Sequence, residues 1–224
     1  MARATSESEG TRAVAGRRHS GPVKRPDNEF EGLFGLVAGW AMSFGRARST
    51  RLLLDLAGVG PGDRVLDVGS GPGLFLKAAA ERGATAVGVD PSARMRRLAL
   101  RRIPDGLRPK ITVVEGSAEH LPLEDGSATV AWAVASLHHW SDPDAGLAEV
   151  RRVLAPGGRL LVAERLAGPR GWSRGHAPTW EAAQDLAAQV GRAGFAEVAV
   201  ARHAVGRRQL VVVTGHRPGA AEEA

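Results

Sequence analysis

The sequence predicts an open α/β sheet of seven strands, five parallel and then a C-terminal antiparallel hairpin, with helices on both faces. Three observations predict it. Short apolar or β-branched runs alternate with helical stretches from residue 64 onward. The first run ends in a glycine-rich turn that opens a helix. The last two runs are joined by a tight turn at Gly206, far too short for a parallel crossover.

The predicted parallel strands are residues 64–68, 84–90, 110–115, 128–135 and 159–164, and the helices between them are 73–82, 92–102 and 143–154. In the last helix Leu147, Val150, Val153 and Leu154 fall on one face, the spacing that a sheet-packed helix requires. A further helix at 179–192, with Thr179 as its N-cap, leads into hairpin strands 195–203 and 209–215. Upstream, residues 30–56 read as mostly helical, with Gly39 and Gly45 as weak points. Residues 1–28 carry Arg12, Arg17, Arg18, Lys24 and Arg25 without apolar periodicity and read as a disordered basic tail. The expected organisation is one domain over residues 29–217, with a second short tail at 218–224.

Composition narrows the function classes. The 224 residues contain no cysteine, which excludes disulfides and thiolate metal sites, and no metal site is expected. No apolar run reaches the length of a membrane span; the longest, residues 33–44, lies between Glu31 and Arg46. The N-terminus lacks the apolar stretch of a secretory signal, and the expected setting is the cytoplasm. A peripheral membrane contact stays open, as does the oligomeric state. The net charge of +6 invites a nucleic-acid partner, but only three of the 30 basic residues are lysine. Aromatics are scarce at 4% and tyrosine is absent, so base-stacking platforms are poorly supplied and a nucleic-acid partner is disfavoured.

The chemistry concentrates at Val65-Leu66-Asp67-Val68-Gly69-Ser70-Gly71-Pro72-Gly73. In open α/β sheets ligands sit at the carboxyl ends of strands, where strand order reverses. Glycines there let the backbone turn and approach a ligand without Cβ atoms in the way. Pro72 is placed at the start of the helix, where its missing N–H costs nothing. The spacing is not Gly-x-Gly-x-x-Gly, because residue 74 is leucine, and the Lys-Ser/Thr pair of a phosphate loop is missing. Seventeen residues after Gly73 the second strand ends at Asp90, whose carboxylate can accept hydrogen bonds from both hydroxyls of a ribose or cap the helix that begins near Pro91.

Taken with Gly-Val-Asp-Pro-Ser (88–92), Glu-Gly-Ser-Ala-Glu-His-Leu-Pro-Leu (115–123) and Leu-Ala-Pro-Gly-Gly-Arg-Leu (154–160), this block resembles the class I methyltransferases, which have a Rossmann-like sheet. Within them it is similar to the small-molecule branch that includes the ubiquinone/menaquinone-biosynthesis type. The resemblance spans roughly residues 30 to 216 and implies S-adenosylmethionine as cofactor. It implies that Asp67, Gly69, Ser70, Gly71 and Gly73 hold the methionine end. Asp90, with Pro91, takes the ribose, and Met95 flanks the adenine. Ser117 and Ala118 meet the adenine edge, while Ala135, Ser136 and His139 line the pocket after the fourth strand. Many members have aspartate where this chain has Ser117, so recognition of the adenine amino group would shift to backbone near Ala118 or to Glu119. Residues 30–44, with Phe30, Phe34, Trp40, Met42 and Phe44, would cover the cofactor and help form an apolar acceptor site.

A sulfonium activates its own methyl group, so the protein must mainly orient the acceptor and exclude water. Should the acceptor be a hydroxyl or an acidic carbon, His138 is the expected base, while Glu164 ends the fifth strand at the same rim and could orient an acceptor. His176, in a Gly/Pro/Arg-rich loop, is a weaker candidate. The Arg-rich helix with Arg94, Arg96, Arg97, Arg101 and Arg102 reads as a solvated face. The expected function is methyl transfer by in-line displacement to a small, lipophilic metabolite. The alternatives are an RNA or protein methyltransferase, a non-catalytic S-adenosylmethionine-binding module and, more distantly, an NAD-dependent oxidoreductase.

Overall fold

The computed structural model describes residues 47–166, 178–206 and 208–219. The expectations for the N-terminal tail, for residues 30–46, for His176 and for residues 220–224 lie outside them. Helix α1 (Ala47–Leu56) is the described part of the predicted N-terminal helix. Then follow β1 (Arg64–Val68), α2 (Leu74–Glu81), β2 (Thr85–Val89), α3 (Ala93–Arg102), β3 (Ile111–Val114), β4 (Ala128–Val134), α4 (Pro143–Val153), β5 (Leu154–Arg165), α5 (Trp180–Arg192), β6 (Ala196–Val205) and β7 (Arg208–His216). The sheet order is β3-β2-β1-β4-β5-β7-β6. The first five strands pair in parallel and the last two antiparallel.

Alternate strand residues feed two cores, as a sheet covered on both faces requires. Val65, Trp132 and Leu161 pack with Leu53, Leu54, Phe75 and Leu76 of α1 and α2. Leu66, Ala131 and Leu160 pack with Leu147, Val150 and Val190 of α4 and α5 on the other face. Each fully buried Leu or Val contributes about 1.5–3 kcal/mol, so this burial is what holds the sheet flat against its helices. Strand β7 is buried along its middle and lies between β5 and β6, whereas β6 alternates between sheltered and exposed residues as the outer strand.

Three local expectations need correction. Helix α2 begins at Leu74 with Gly73 as a left-handed N-cap (φ 74°), so Pro72 precedes the helix instead of opening it. The cap of α3 is Ser92, whose hydroxyl accepts the Met95 N–H; Asp90 is not the cap. Residues 156–158 belong to β5, where Gly157 N–H donates to the Arg217 carbonyl and Arg217 N–H to the Gly158 carbonyl. The Thr179 cap stands as expected, its hydroxyl accepting from Ala182 N–H at 3.2 Å.

Candidate active site

Strand order reverses between β1 and β4, and the carboxyl ends of these two strands part there. The chain leaving β1 stays tied to β2, because Gly69 and Ser70 N–H groups both donate to the Val89 carbonyl. The chain leaving β4 stays tied to β5 through Ala135 N–H and the Ala163 carbonyl. Ala135 then adopts a φ of 52°, a left-handed conformation that costs a side-chain-bearing residue roughly 1 kcal/mol and turns the chain over the sheet end. The hydroxyl of the next residue, Ser136, donates to the Val68 carbonyl at 2.6 Å and stitches the two strand ends together.

A cavity of about 330 Å³ opens at this junction. Asp67, Gly69, Ser70, Gly71, Asp90, Pro91, Met95, Ser117, Ala118, Glu119, Ala135, Ser136 and His139 line it, thirteen of the fourteen residues expected at a cofactor. The exception is Gly73, which is not among the lining residues. A Cβ there would lie 2.9 Å from the Ala99 Cβ, so this glycine allows α2 and α3 to approach closely. Lining residues that the sequence reading passed over include Phe75, Val89 and Trp140. The sequence signal for Trp140 was Gly146: a Cβ at that glycine would lie 2.5 Å from the indole ring, so the two positions are coupled.

Two buried carboxylates, Asp67 and Asp90, stand in the wall. Asp67 is buried on β1, and its Oδ2 has no hydrogen-bond partner among the described residues. Burial pushes its pKa up to about 8; the neighbouring Trp132 N–H, which falls short of hydrogen-bond geometry, opposes this in part, and the charge of Asp90 adds to it. Asp90 is also held above the usual carboxylate range, first by burial, against the lowering effects of Ser92 and Gly71 N–H groups and of Arg96. Its Oδ2 accepts from Gly71 N–H at 2.8 Å and its Oδ1 from Ser92 N–H at 2.8 Å. A carboxylate oxygen has two lone pairs, so each keeps one acceptor site for a ligand hydroxyl.

The loop after β3 is fixed from α4. Arg152 binds the Leu121 and Leu123 carbonyls and pairs with Glu149 and Asp125, while Glu149 accepts the Leu121 N–H. Glu119 is largely committed elsewhere: its Oε1 accepts from Ser141 N–H at 2.6 Å and Asp142 N–H at 3.1 Å. Burial tends to raise its pKa, but those N–H groups and the Ser117 hydroxyl outweigh that and leave it lowered. His138 is not among the lining residues; it lies beside them, with Nδ1 3.2 Å from both carboxylate oxygens of Glu164 and its ring 4.0 Å from that of His139. Among the described residues no cluster of His, Asp or Glu is arranged to hold a metal ion, and no helix is long and apolar enough to cross a membrane.

This chemistry discriminates between ligands. A dinucleotide would bring its pyrophosphate against two carboxylates, and the Gly71 N–H that could greet a phosphate is already taken by Asp90. A ligand with an ammonium and a sulfonium would instead bring counter-charge to the buried Asp67 and Asp90 carboxylates in the cavity wall. The ribose diol suits Asp90, and Met95, Val89 and Ala118 offer an apolar surface for a purine. The residues present therefore fit S-adenosylmethionine.

Comparison with known proteins agrees. A family model described as a methyltransferase domain matches residues 66–162, from β1 through β5. This stretch, a little under half of the chain, is what the chain shares with methyltransferases. Demethylmenaquinone methyltransferase of Renibacterium salmoninarum is 37% identical over 148 residues, which cover 63% of this chain and 60% of that protein. The protein of the same name from Beutenbergia cavernae is 40% identical over 114 residues, covering 51% of this chain and 45% of the relative. The chain thus spans about half the length of these curated relatives. In fold the chain resembles a S-adenosylmethionine-dependent methyltransferase from Aquifex aeolicus, with a TM-score of 0.62 at 22% identity over 75% of this chain and 88% of that one.

Proposed function

We propose that the protein transfers a methyl group from S-adenosylmethionine to a small, lipophilic acceptor of the demethylmenaquinone kind. The observation that carries this reading is the pair of buried carboxylates, Asp67 and Asp90, in the wall of the cavity at the β1/β4 junction. A buried carboxylate is costly to ionise, and a cationic cofactor relieves that cost. In this reading Asp67, Gly69, Ser70 and Gly71 take the methionine end, Asp90 and Pro91 the ribose, and Met95, Ser117 and Ala118 the adenine. Ala135, Ser136 and His139 form the wall beneath the reacting centre, and His138 acts as base. The bound cofactor supplies an activated methyl group; the chain's own contribution is to align the acceptor and keep water out. The relatives named for demethylmenaquinone support the acceptor class. A cytoplasmic setting agrees with the cysteine-free composition.

Two measurements test the proposal. Calorimetry should give binding of S-adenosylmethionine and S-adenosylhomocysteine and no heat with NAD. Labelled methyl from S-adenosylmethionine should then enter a whole-cell small-molecule extract, and demethylmenaquinol added to it, but not RNA or protein fractions. Label confined to RNA or protein would replace the acceptor class, and binding without transfer to any fraction would leave a binding module.

A further inference from the structure

We propose that Glu119 is a positioning residue: its carboxylate clasps the turn before α4 and so holds Trp140 in the wall of the cavity, while the adenine amino group is left to the backbone near Ala118. This deepens the methyl-transfer reading and rests on it. Glu119 stands in the loop after β3, yet its Oε1 accepts from Ser141 N–H at 2.6 Å and Asp142 N–H at 3.1 Å, twenty-two and twenty-three residues further on. Neither donor has an acceptor within α4, because the first N–H groups of a helix lie ahead of its own carbonyl ladder. The Asp142 side chain is taken by the Asp144 and Ala145 N–H groups, residue 143 is proline, and the Gly146 N–H goes to the Asp142 carbonyl. Glu119 therefore completes the N-terminal cap of α4 from another loop and sets a negative charge at the positive end of the helix.

Trp140 immediately precedes this clasp and lines the cavity together with Glu119 and Ser141. Its N–H donates to the Leu137 carbonyl, and its ring packs on Gly146, where a Cβ would lie 2.5 Å from the indole and 3.2 Å from the Ala118 Cβ. The loop after β3, the indole and the first turn of α4 thus meet at one place, and the Glu119 carboxylate is the polar link between them. Although burial works the other way, the N–H groups and the Ser117 hydroxyl keep the Glu119 pKa below the usual carboxylate range, so the link is ionised at neutral pH. An adenine amino group would have to compete with charge-assisted bonds already made, which are stronger than neutral ones.

Two ligands separate the clasp from a direct contact. S-inosylhomocysteine has a carbonyl oxygen where S-adenosylhomocysteine has its amino group, so it lacks any bond that Glu119 made to that group. By calorimetry, Glu119→Ala should weaken both ligands about tenfold and keep their affinity ratio within twofold of the wild type. Glu119→Gln, which retains an acceptor oxygen, should recover most of the loss for both. In ligand-free protein, acrylamide should quench Trp140 more readily in Glu119→Ala than in the wild type, with Glu119→Gln close to the wild type. The Trp140 signal is read as the difference from matching Trp140→Phe variants. An affinity ratio that collapses in Glu119→Ala, because only the adenine ligand weakens, would overturn the inference, and so would unaltered Trp140 quenching. A wild type that binds neither ligand overturns the methyl-transfer reading itself, and the quenching comparison then still decides the clasp.

Discussion

The Asp90 carboxylate accepts the Gly71 N–H at 2.8 Å, so the acid that ends β2 and the glycine loop that ends β1 are one structural unit. The loop's shape and the carboxylate proposed for the ribose cannot be altered separately. Replacing Asp90 with Ala should therefore weaken S-adenosylhomocysteine binding by about a hundredfold and also lower stability by roughly 1–3 kcal/mol, because the Gly71 and Ser92 N–H groups lose their partner. Asp90→Asn, which keeps an oxygen, should recover part of the stability and little of the affinity. Calorimetry and urea unfolding measure the two effects; a loss of affinity with unaltered stability would separate the carboxylate from the loop.

Gly69 and Ser136 set the floor of the cavity. A Cβ on Gly69 would lie 2.5 Å from that of Ser136, and the Gly69 φ of 71° disfavours any side chain. Gly69→Ala should destabilise the fold by about 2–4 kcal/mol, the sum of backbone strain and overpacking. Adding Ser136→Gly should restore part of this, giving a positive coupling in a double-mutant cycle. Simple additivity would show that the two strand ends move independently.

Asp67 makes stability depend on pH. Its folded value of about 8 exceeds the ordinary 3.8, so the native state binds more protons than the unfolded chain between those limits. The contribution of Asp67 to the stability of the ligand-free protein should thus be greatest toward pH 4 and fall by a few kcal/mol, on an order-of-magnitude basis, as pH rises to about 8. Asp67→Asn should remove most of that slope; the remainder belongs to Asp90, which is raised as well. A cationic ligand favours the ionised form, so S-adenosylmethionine affinity should climb with pH up to about 8 and then level off. Thermal melts and titrations from pH 5 to 9 give both curves.

Trp140 should report occupancy of the cavity. It lines the wall, and Gly146 on α4 makes room for its ring. Gly146→Ala should push the indole inward, lowering S-adenosylhomocysteine affinity about tenfold through overpacking of roughly 1–3 kcal/mol. Ligand-induced fluorescence change should be lost in Trp140→Phe. Full quenching in that variant would assign the signal to another tryptophan.

Much of this architecture was legible locally. The first four parallel strands could be located to within one residue at either end because buried strands are short continuous apolar runs bounded by turns, whereas β5 begins at Leu154, five residues before the expected start. The strand ordering was less accessible. That β7 sits inside the sheet and β6 at its edge is written in burial, Leu210 to Val213 being apolar without interruption while β6 alternates. Yet pairing partners are chosen by register, not by local pattern. Gly73 shows a similar limit: as a glycine in a glycine loop it read as ligand contact, and only the approach of Ala99 from α3 reveals its packing role.

The sequence by itself determined the alternation of strands and helices, the glycine turn after β1 and the acid after β2, because these follow from chain periodicity and from residues a few positions apart. Tertiary structure alone decided that Asp67 is left without a partner, that Asp90 holds Gly71, and that His138 meets Glu164 twenty-six residues away. Such relationships depend on which strand ends lie side by side. That is fixed by hydrogen-bond register across the sheet and by the packing of two cores, neither of which any short stretch of sequence contains.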